Sequence, residues 1–297
     1  MTPLSELLDI LTLEEIDRDL YRVQNPGRPR SLYGGQVAAQ ALRAASATVG
    51  DDRFANSAHG YFLRLGKPGR PTILQVHRDR DGRSYSHRRV EAIQDGEVIF
   101  SLACSFHVPE AGAFEVEVDA QREAATFEDS VPAAYGQGDP EHHDAFEFRV
   151  YPMAAHPDAP EGFHRAPARI WIKPRGPVTD DAALHSSLVM FISDMFSGFN
   201  EVDVPGQPFG GGPTLDHSVW FHRPVRVDQW LLLNLRPLIA TGGRGVYQGG
   251  LFTRDGSRLC SLSQEIVVRP APSHQLQGSI DSWARFANVL AQRARHG

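Results

Sequence analysis

Asp95-Gly96-Glu97-Val98-Ile99-Phe100-Ser101-Leu102-Ala103-Cys104 aligns without a gap on Asp255-Gly256-Ser257-Arg258-Leu259-Cys260-Ser261-Leu262-Ser263-Gln264, 160 residues later. The two stretches share Asp-Gly and Ser-Leu, and each opens with the dipeptide that starts a hairpin and continues as a strand. A second match lies upstream. Gly60-Tyr61-Phe62-Leu63-Arg64 resembles Val219-Trp220-Phe221-His222-Arg223 at an offset of 159, and both are aromatic-rich strand segments. Two matches at nearly one spacing imply a fold made of two similar halves.

One helix precedes the strands of each half. Gly34 to Ala45 is rich in alanine, strongly helical and small enough to lie tightly on a sheet. In the second half, Asp180 or Asp181 caps an apolar run from Ala182 to Phe196 that reads as buried on most sides. Strand patterns cover Thr72 to His77, Tyr85 to Ile93, Val98 to His107, Ala168 to Lys173, Leu231 to Leu238, Gly245 to Thr253 and Arg258 to Val268. A long helix followed by an antiparallel meander, twice, is an α+β protein with each helix packed on a sheet face.

The expected division is a first repeat over 1–112, a linker over 113–145 rich in Ala, Glu, Asp, Pro and Gly, and a second repeat over 146–273. The segment 274–297 reads as a helical extension, with Ile280, Trp283, Phe286, Ala287 and Leu290 at helical spacing.

Composition narrows the function. A hydrophobic fraction of 41% with 22% charged residues is that of an ordinary globular chain. No stretch has the roughly 20 consecutive apolar residues of a spanning helix, so no membrane insertion is expected. A formal net charge of −6 argues against nucleic-acid binding, which depends on basic surface. Arg64, Arg88 and Arg89 remain available, on this reading, to hold a phosphate-bearing small ligand. The two cysteines, Cys104 and Cys260, form no CxxC and read as small buried residues. The N-terminus lacks the pattern of a secretory signal, and Arg295-His296-Gly297 is not a Ser-Lys-Leu address, so a cytoplasmic location is expected.

Several residues are candidates for chemistry. Asp194 is a carboxylate in an otherwise apolar run, where burial without partners would be prohibitive; it either bonds a neighbouring loop or faces a cleft. Strand alternation puts Thr214, Asp216, Ser218 and Trp220 on one face and His217 on the other. Adjacent Asp216-His217-Ser218 is therefore a poor nucleophilic triad, and no GxSxG elbow occurs. Gln264 can donate and accept, although a solvent-facing amide is the commoner case. Gly34-Gly35 at a helix start either admits a ligand close to backbone N–H groups or merely permits tight packing. Glu141-His142-His143-Asp144, with His156 and His164 nearby, shows none of the usual zinc-ligand spacings, so no metal is expected.

Tyr33-Gly34-Gly35-Gln36-Val37-Ala38-Ala39-Gln40-Ala41-Leu42, His59 to Arg64, Asp81-Gly82-Arg83-Ser84-Tyr85, Ser193-Asp194, Leu215 to Arg223 and Ser263-Gln264-Glu265 are six motifs in order. Over about Leu4 to Arg269 they resemble the acyl-CoA thioesterase II (TesB-type) family. That resemblance implies a double hotdog fold, in which each half wraps an antiparallel sheet around one long helix. It also implies hydrolysis of fatty acyl-CoA to free fatty acid and coenzyme A, without a cofactor, as part of fatty acid metabolism.

Asp194, Thr214 and Gln264 match the family's water-orienting catalytic residues. Gly34, Gly35, Gln36 and His59 become candidates for substrate binding or for the oxyanion hole. A homo-oligomer, dimer or tetramer, is expected. The alternatives are a hotdog enoyl-CoA hydratase, for which the His-Asp dyad at a helix start is missing, and a non-catalytic acyl-CoA-binding protein. The repeat sets Cys104 where the second half has Gln264, so one half reads as catalytic and the other as supporting.

Overall fold

The computed structural model describes residues 2–27, 31–110, 115–117, 127–133, 142–151, 169–197, 203–204 and 207–270, with backbone alone at 203–204, 207–211 and 270. The expected helix after residue 274 lies outside the described residues, as do Glu141, His156 and His164.

The first half comprises α1 (Pro3–Asp9), β1 (Glu14–Asp17), β2 (Leu20–Val23), α2 (Gly34–Ser46), β3 (Phe54–Phe62), β4 (Thr72–Asp81), β5 (Tyr85–Gln94) and β6 (Glu97–His107). There follow β7 (Val131–Ala133), β8 (Phe146–Val150), β9 (Arg169–Pro174), α3 (Ala182–Ser193), β10 (Asp203–Val204), β11 (Gln207–Phe221), β12 (Leu231–Thr241), β13 (Arg244–Phe252) and β14 (Arg258–Pro270). Apart from β10, which pairs with β11, the strands form one continuous sheet in the order β1-β2-β4-β5-β6-β3-β11-β14-β13-β12-β9-β8-β7. Among the described residues all the strand pairings are antiparallel. This is the double hotdog: two helix-plus-meander halves, joined where β3 pairs with β11 from Tyr61 opposite Asp216 to Ser57 opposite Trp220.

Both Asp-Gly pairs make hairpins, by different turns. Asp95 and Gly96 both have positive φ, 50° and 80°, as a two-residue type I′ turn between β5 and β6 requires. The second hairpin is longer: Gly256 N–H donates to Thr253 O (3.1 Å), and Gly256 alone takes the left-handed conformation, φ 87°. The stretch read as a linker contributes β7, which pairs with β8, and Phe127, whose ring meets Trp171 and Trp230 edge-on or tilted at 5.3 Å.

The helices lie side by side and antiparallel. The hydroxyl of Tyr33, just before α2, donates to Phe191 O near the end of α3 (2.8 Å), while Arg43 near the end of α2 pairs with Asp181 at the start of α3 (2.7 Å). Ala38, Ala39, Ala41, Ala44 and Ala45 are all fully buried, which permits this close approach. In α3, Leu188, Val189, Met190 and Phe191 are likewise fully buried, as expected for a helix apolar on most sides.

The antiparallel pair therefore has two ends that are equivalent in the repeat. At one, the start of α2 meets the end of α3. At the other, Asp181 accepts from the N–H groups of Ala183 (2.9 Å) and Leu184 (3.1 Å), so its own side chain occupies the start of α3.

Candidate active site

The apolar run after Asp181 stops being helical at Ser193, one turn short of the expected Phe196. Asp194 is therefore the C-cap residue, φ −99° and ψ −1°, and not an interior helical residue. Its carboxylate stands at the negative end of the helix dipole, which makes hydrogen-bond donors the condition for keeping charge there.

Those donors come from two strands of the second half. Gln264 Nε2 donates to Asp194 Oδ1 in a short contact and to Thr214 Oγ1 at 2.8 Å, and Thr214 Oγ1 donates to Asp194 Oδ1 at 3.2 Å. Three residues separated by 20, 50 and 70 positions thus close a triangle. Gln264 is 1% exposed, so the solvent-facing reading of this amide is corrected: its strand turns it into the core beside Asp194.

The alternation expected for β11 is corrected as well. The register slips between Gly211 and Thr214 and again between Thr214 and Asp216. The second slip inserts one residue, as a β-bulge does, and brings Thr214 to the inner face with His217. Asp216 stays on the opposite face and accepts from Glu265 N–H (2.7 Å). His217, fully buried, pairs across the ladder with Gln264 and lies 2.7 Å from Ser193 Oγ. Asp216, His217 and Ser218 accordingly make no triad.

The other half supplies the wall facing Asp194. A Cβ on Gly34 would stand 2.8 Å from Asp194 Oδ2 and 3.0 Å from the Phe62 ring. Glycine is needed here for close approach, not for an unusual φ. Among the described residues the N-cap residue Tyr33 makes no side-chain cap bond, and the first N–H groups of a helix have no intrahelical acceptor. The start of α2 at Gly34 thus lies against the carboxylate. Tyr33, whose ring also meets Phe191 and His143 edge-on, pins this helix start in place.

Two expected participants are placed elsewhere. The Gln36 side chain turns away and donates to Asn25 Oδ1 (2.7 Å), within a buried amide cluster that includes Gln40. His59 pairs with Ser218 on the outer face of the sheet, where its ring meets Trp220 edge-on at 4.8 Å. Burial lowers its pKa, partly opposed by Asp216.

The arginines also have other roles. Arg88 is 2% exposed and bonds Thr48, Asp81 and the carbonyls of Arg80 and His87. Arg64 pairs with Glu97, and Arg89 with Asp79 and Glu91. Burial closes Arg88 to any phosphate.

Tyr247 escaped the sequence reading. It lies opposite Gln264 on β13, is 1% exposed, and donates to Phe196 O at 3.4 Å. Burial, with Asp194 and Asp216 adding to it, raises its phenol well above the ordinary value. Only its place on an apolar strand could have flagged it.

A sheet that wraps two antiparallel helices, one from each half, defines the double-hotdog class. The profile of the acyl-CoA thioesterase N-terminal domain matches residues 25–107, and that of the C-terminal domain matches residues 120–268. The chain belongs to the acyl-CoA thioesterase family, of the TesB type. It is 32% identical to acyl-coenzyme A thioesterase 8 of Rattus norvegicus over 89% of this chain and 88% of that protein. It is 31% identical to acyl-CoA thioesterase 2 of Haemophilus influenzae over 90% and 98%. The crystal structure of the acyl-CoA thioesterase II TesB2 of Mycobacterium marinum superposes with a TM-score of 0.71, at 32% identity, covering 90% of this chain and 99% of that one.

Proposed function

We propose that this protein hydrolyses fatty acyl-CoA to the free fatty acid and coenzyme A, by direct attack of a water molecule oriented by Asp194, Thr214 and Gln264. One observation carries the reading of the site: the closed triangle of hydrogen bonds among these three side chains, set against the start of α2 at Gly34. A water bonded to this set has Asp194 as its proton acceptor, while the hydroxyl and the amide hold that carboxylate and through it fix the direction of the water. The thioester carbonyl accepts from the N–H groups of Gly34, Gly35 or Gln36, which stabilise the oxyanion as it forms. Collapse of that intermediate breaks the C–S bond, and the proton held by Asp194 passes to the leaving sulfur. Water plus thioester gives acid plus thiol, with no oxidant and no covalent acyl-enzyme.

The same reading divides the chain into repeats over 1–112 and 146–273, a linker over 113–145 and an extension over 274–297. It makes the protein a homo-oligomer, a dimer or tetramer, supported by Tyr61, Leu63, Leu65 and Trp220, which are 63%, 52%, 72% and 39% exposed. It also places the protein in the cytoplasm, which accords with two free, buried cysteines. Among the described residues no helix is long and apolar enough to cross a membrane.

Thiol release with product analysis, on saturated and 2-enoyl acyl-CoA of several lengths, tests the activity. Free acid and thiol in equal amounts are expected from the saturated substrates. Hydration of the enoyl substrate without thiol release would make the protein a hydratase, and binding without turnover would make it a carrier.

A further inference from the structure

An amide side chain has two ends of nearly equal shape, one a donor and the other an acceptor. Gln264 works in the site only with its NH2 group turned to Asp194 and Thr214; the opposite rotamer would set its oxygen against a carboxylate. Asp194 and Thr214 do not by themselves account for what holds the other end.

We infer that His217 is a positioning residue whose Nδ1–H donates to Gln264 Oε1 and thereby fixes the direction of the amide. His217 and Gln264 are directly opposite each other on β11 and β14 and are 0% and 1% exposed. His217 Nδ1 and Gln264 Oε1 are both buried, and neither makes a hydrogen bond in the structure. Bringing the two together satisfies both, which a buried polar pair strongly favours.

The Gln264 oxygen sets the tautomer. Ser193 Oγ lies 2.7 Å from His217 Nε2 and 3.2 Å from Met190 O, and its one proton can serve either acceptor. A bare Nδ1 beside the bare Gln264 Oε1 would leave two buried acceptors facing each other, so the single proton of the neutral ring belongs on Nδ1 and Nε2 accepts from Ser193. Burial keeps the ring neutral, lowering its pKa to about 4, and the Gln264 side chain opposes part of that fall, as its carbonyl end does when it faces the ring. Ser193 immediately precedes Asp194, so the chain Ser193, His217, Gln264, Asp194 returns to the residue beside its start.

The internal repeat provides a control within the molecule. The cross-strand pair that corresponds to His217 and Gln264 in the first half is Ala58 and Cys104. Histidine accompanies glutamine, and where the amide is absent its neighbour is a methyl group.

This inference rests on the reading of Asp194, Thr214 and Gln264 as the hydrolytic set. Its test is kcat and KM for a saturated acyl-CoA with the full-length Gln264→Ala, His217→Ala and His217→Asn proteins and the Gln264→Ala/His217→Ala double variant. His217→Ala should lower kcat about tenfold, as expected for a loosened reacting group, and leave KM within about twofold. His217→Asn should recover most of the loss, because its amide nitrogen replaces Nδ1. On the Gln264→Ala background, His217→Ala should change kcat by less than about twofold, the non-additivity of residues acting through one another.

Wild-type kcat in His217→Ala, no recovery in His217→Asn, or effects that multiply would each overturn the inference. Full activity in Gln264→Ala would instead remove the hydrolytic set itself. Should the variants not fold, the imidazole 15N shifts of the wild-type protein at neutral pH decide the matter: a proton on Nδ1 is expected, and a proton on Nε2 contradicts it.

Discussion

Replacing Gly34 by alanine probes the junction between the repeats with a single methyl group. That methyl would start 2.8 Å from Asp194 Oδ2, whereas ordinary contact begins at 3.4 Å, so the carboxylate must retreat by about 0.6 Å. Phe62, at 3.0 Å, closes the other side. Since a 1 Å misplacement of a reacting group costs on the order of 100-fold in rate, a retreat of about 0.6 Å predicts roughly a 15-fold loss of kcat, about 1.6 kcal/mol of transition-state stabilisation.

Stability should change less than activity. Alanine is the better helix former by up to about 1 kcal/mol, which offsets part of the cost of moving the Asp194 carboxylate and the Phe62 ring. Steady-state thiol release and thermal unfolding on one preparation check both halves of the argument. A variant with wild-type kcat, or one that loses activity only in proportion to its unfolded fraction, would refute the proposal that Gly34 stands against a catalytic carboxylate at Asp194.

Asp181→Ala should weaken the fold by about 1 to 2 kcal/mol, through loss of an N-cap and a half-exposed ion pair with Arg43. That lowers Tm by several degrees, while kcat stays within about twofold because the site lies at the other end of the helix pair; a large fall in kcat would show that this end takes part. His217 predicts a pH effect. The unfolded chain takes up a proton near 6.5, but burial keeps the folded imidazole neutral down to about 4, with Gln264 opposing part of the shift. Stability from this group is therefore complete above 6.5 and is lost as pH falls from 6.5 to 4, by about 3 kcal/mol. In urea unfolding the curve of His217→Asn should be flatter by that amount; parallel curves would contradict it.

The fold was legible because its signals are local and occur twice. Asp95-Gly96 demands positive φ, the alanines of α2 demand close packing, and the offset of about 160 residues repeats both strand and turn. Asp194 was legible for a different reason, the cost of burying a carboxylate. Thr214 was legible only through the family resemblance, because strand alternation holds only until a bulge; Gly210-Gly211-Gly212-Pro213 signals an irregular strand but not the number of residues inserted. Gln264 was misjudged alone, since the face a strand residue occupies is set by its partner, here His217 on β11. The approach of Gly34 to Asp194 joins residues in different repeats, which no short pattern encodes. Gln36 and His59 sit in motifs that resemble the family's, yet a motif fixes position in a strand or helix and not the direction of each side chain. The buried partner of Gln36 is Asn25, and His59 alternates to the outer face.

The central claim is that Asp194 takes the proton of a water attacking the thioester. Asp194→Asn keeps the shape and the contacts with Thr214 and Gln264 but removes the proton acceptor, so turnover of a medium-chain acyl-CoA should fall at least about tenfold with unfolding unchanged. Thiol release by Asp194→Asn at the wild-type rate would contradict it.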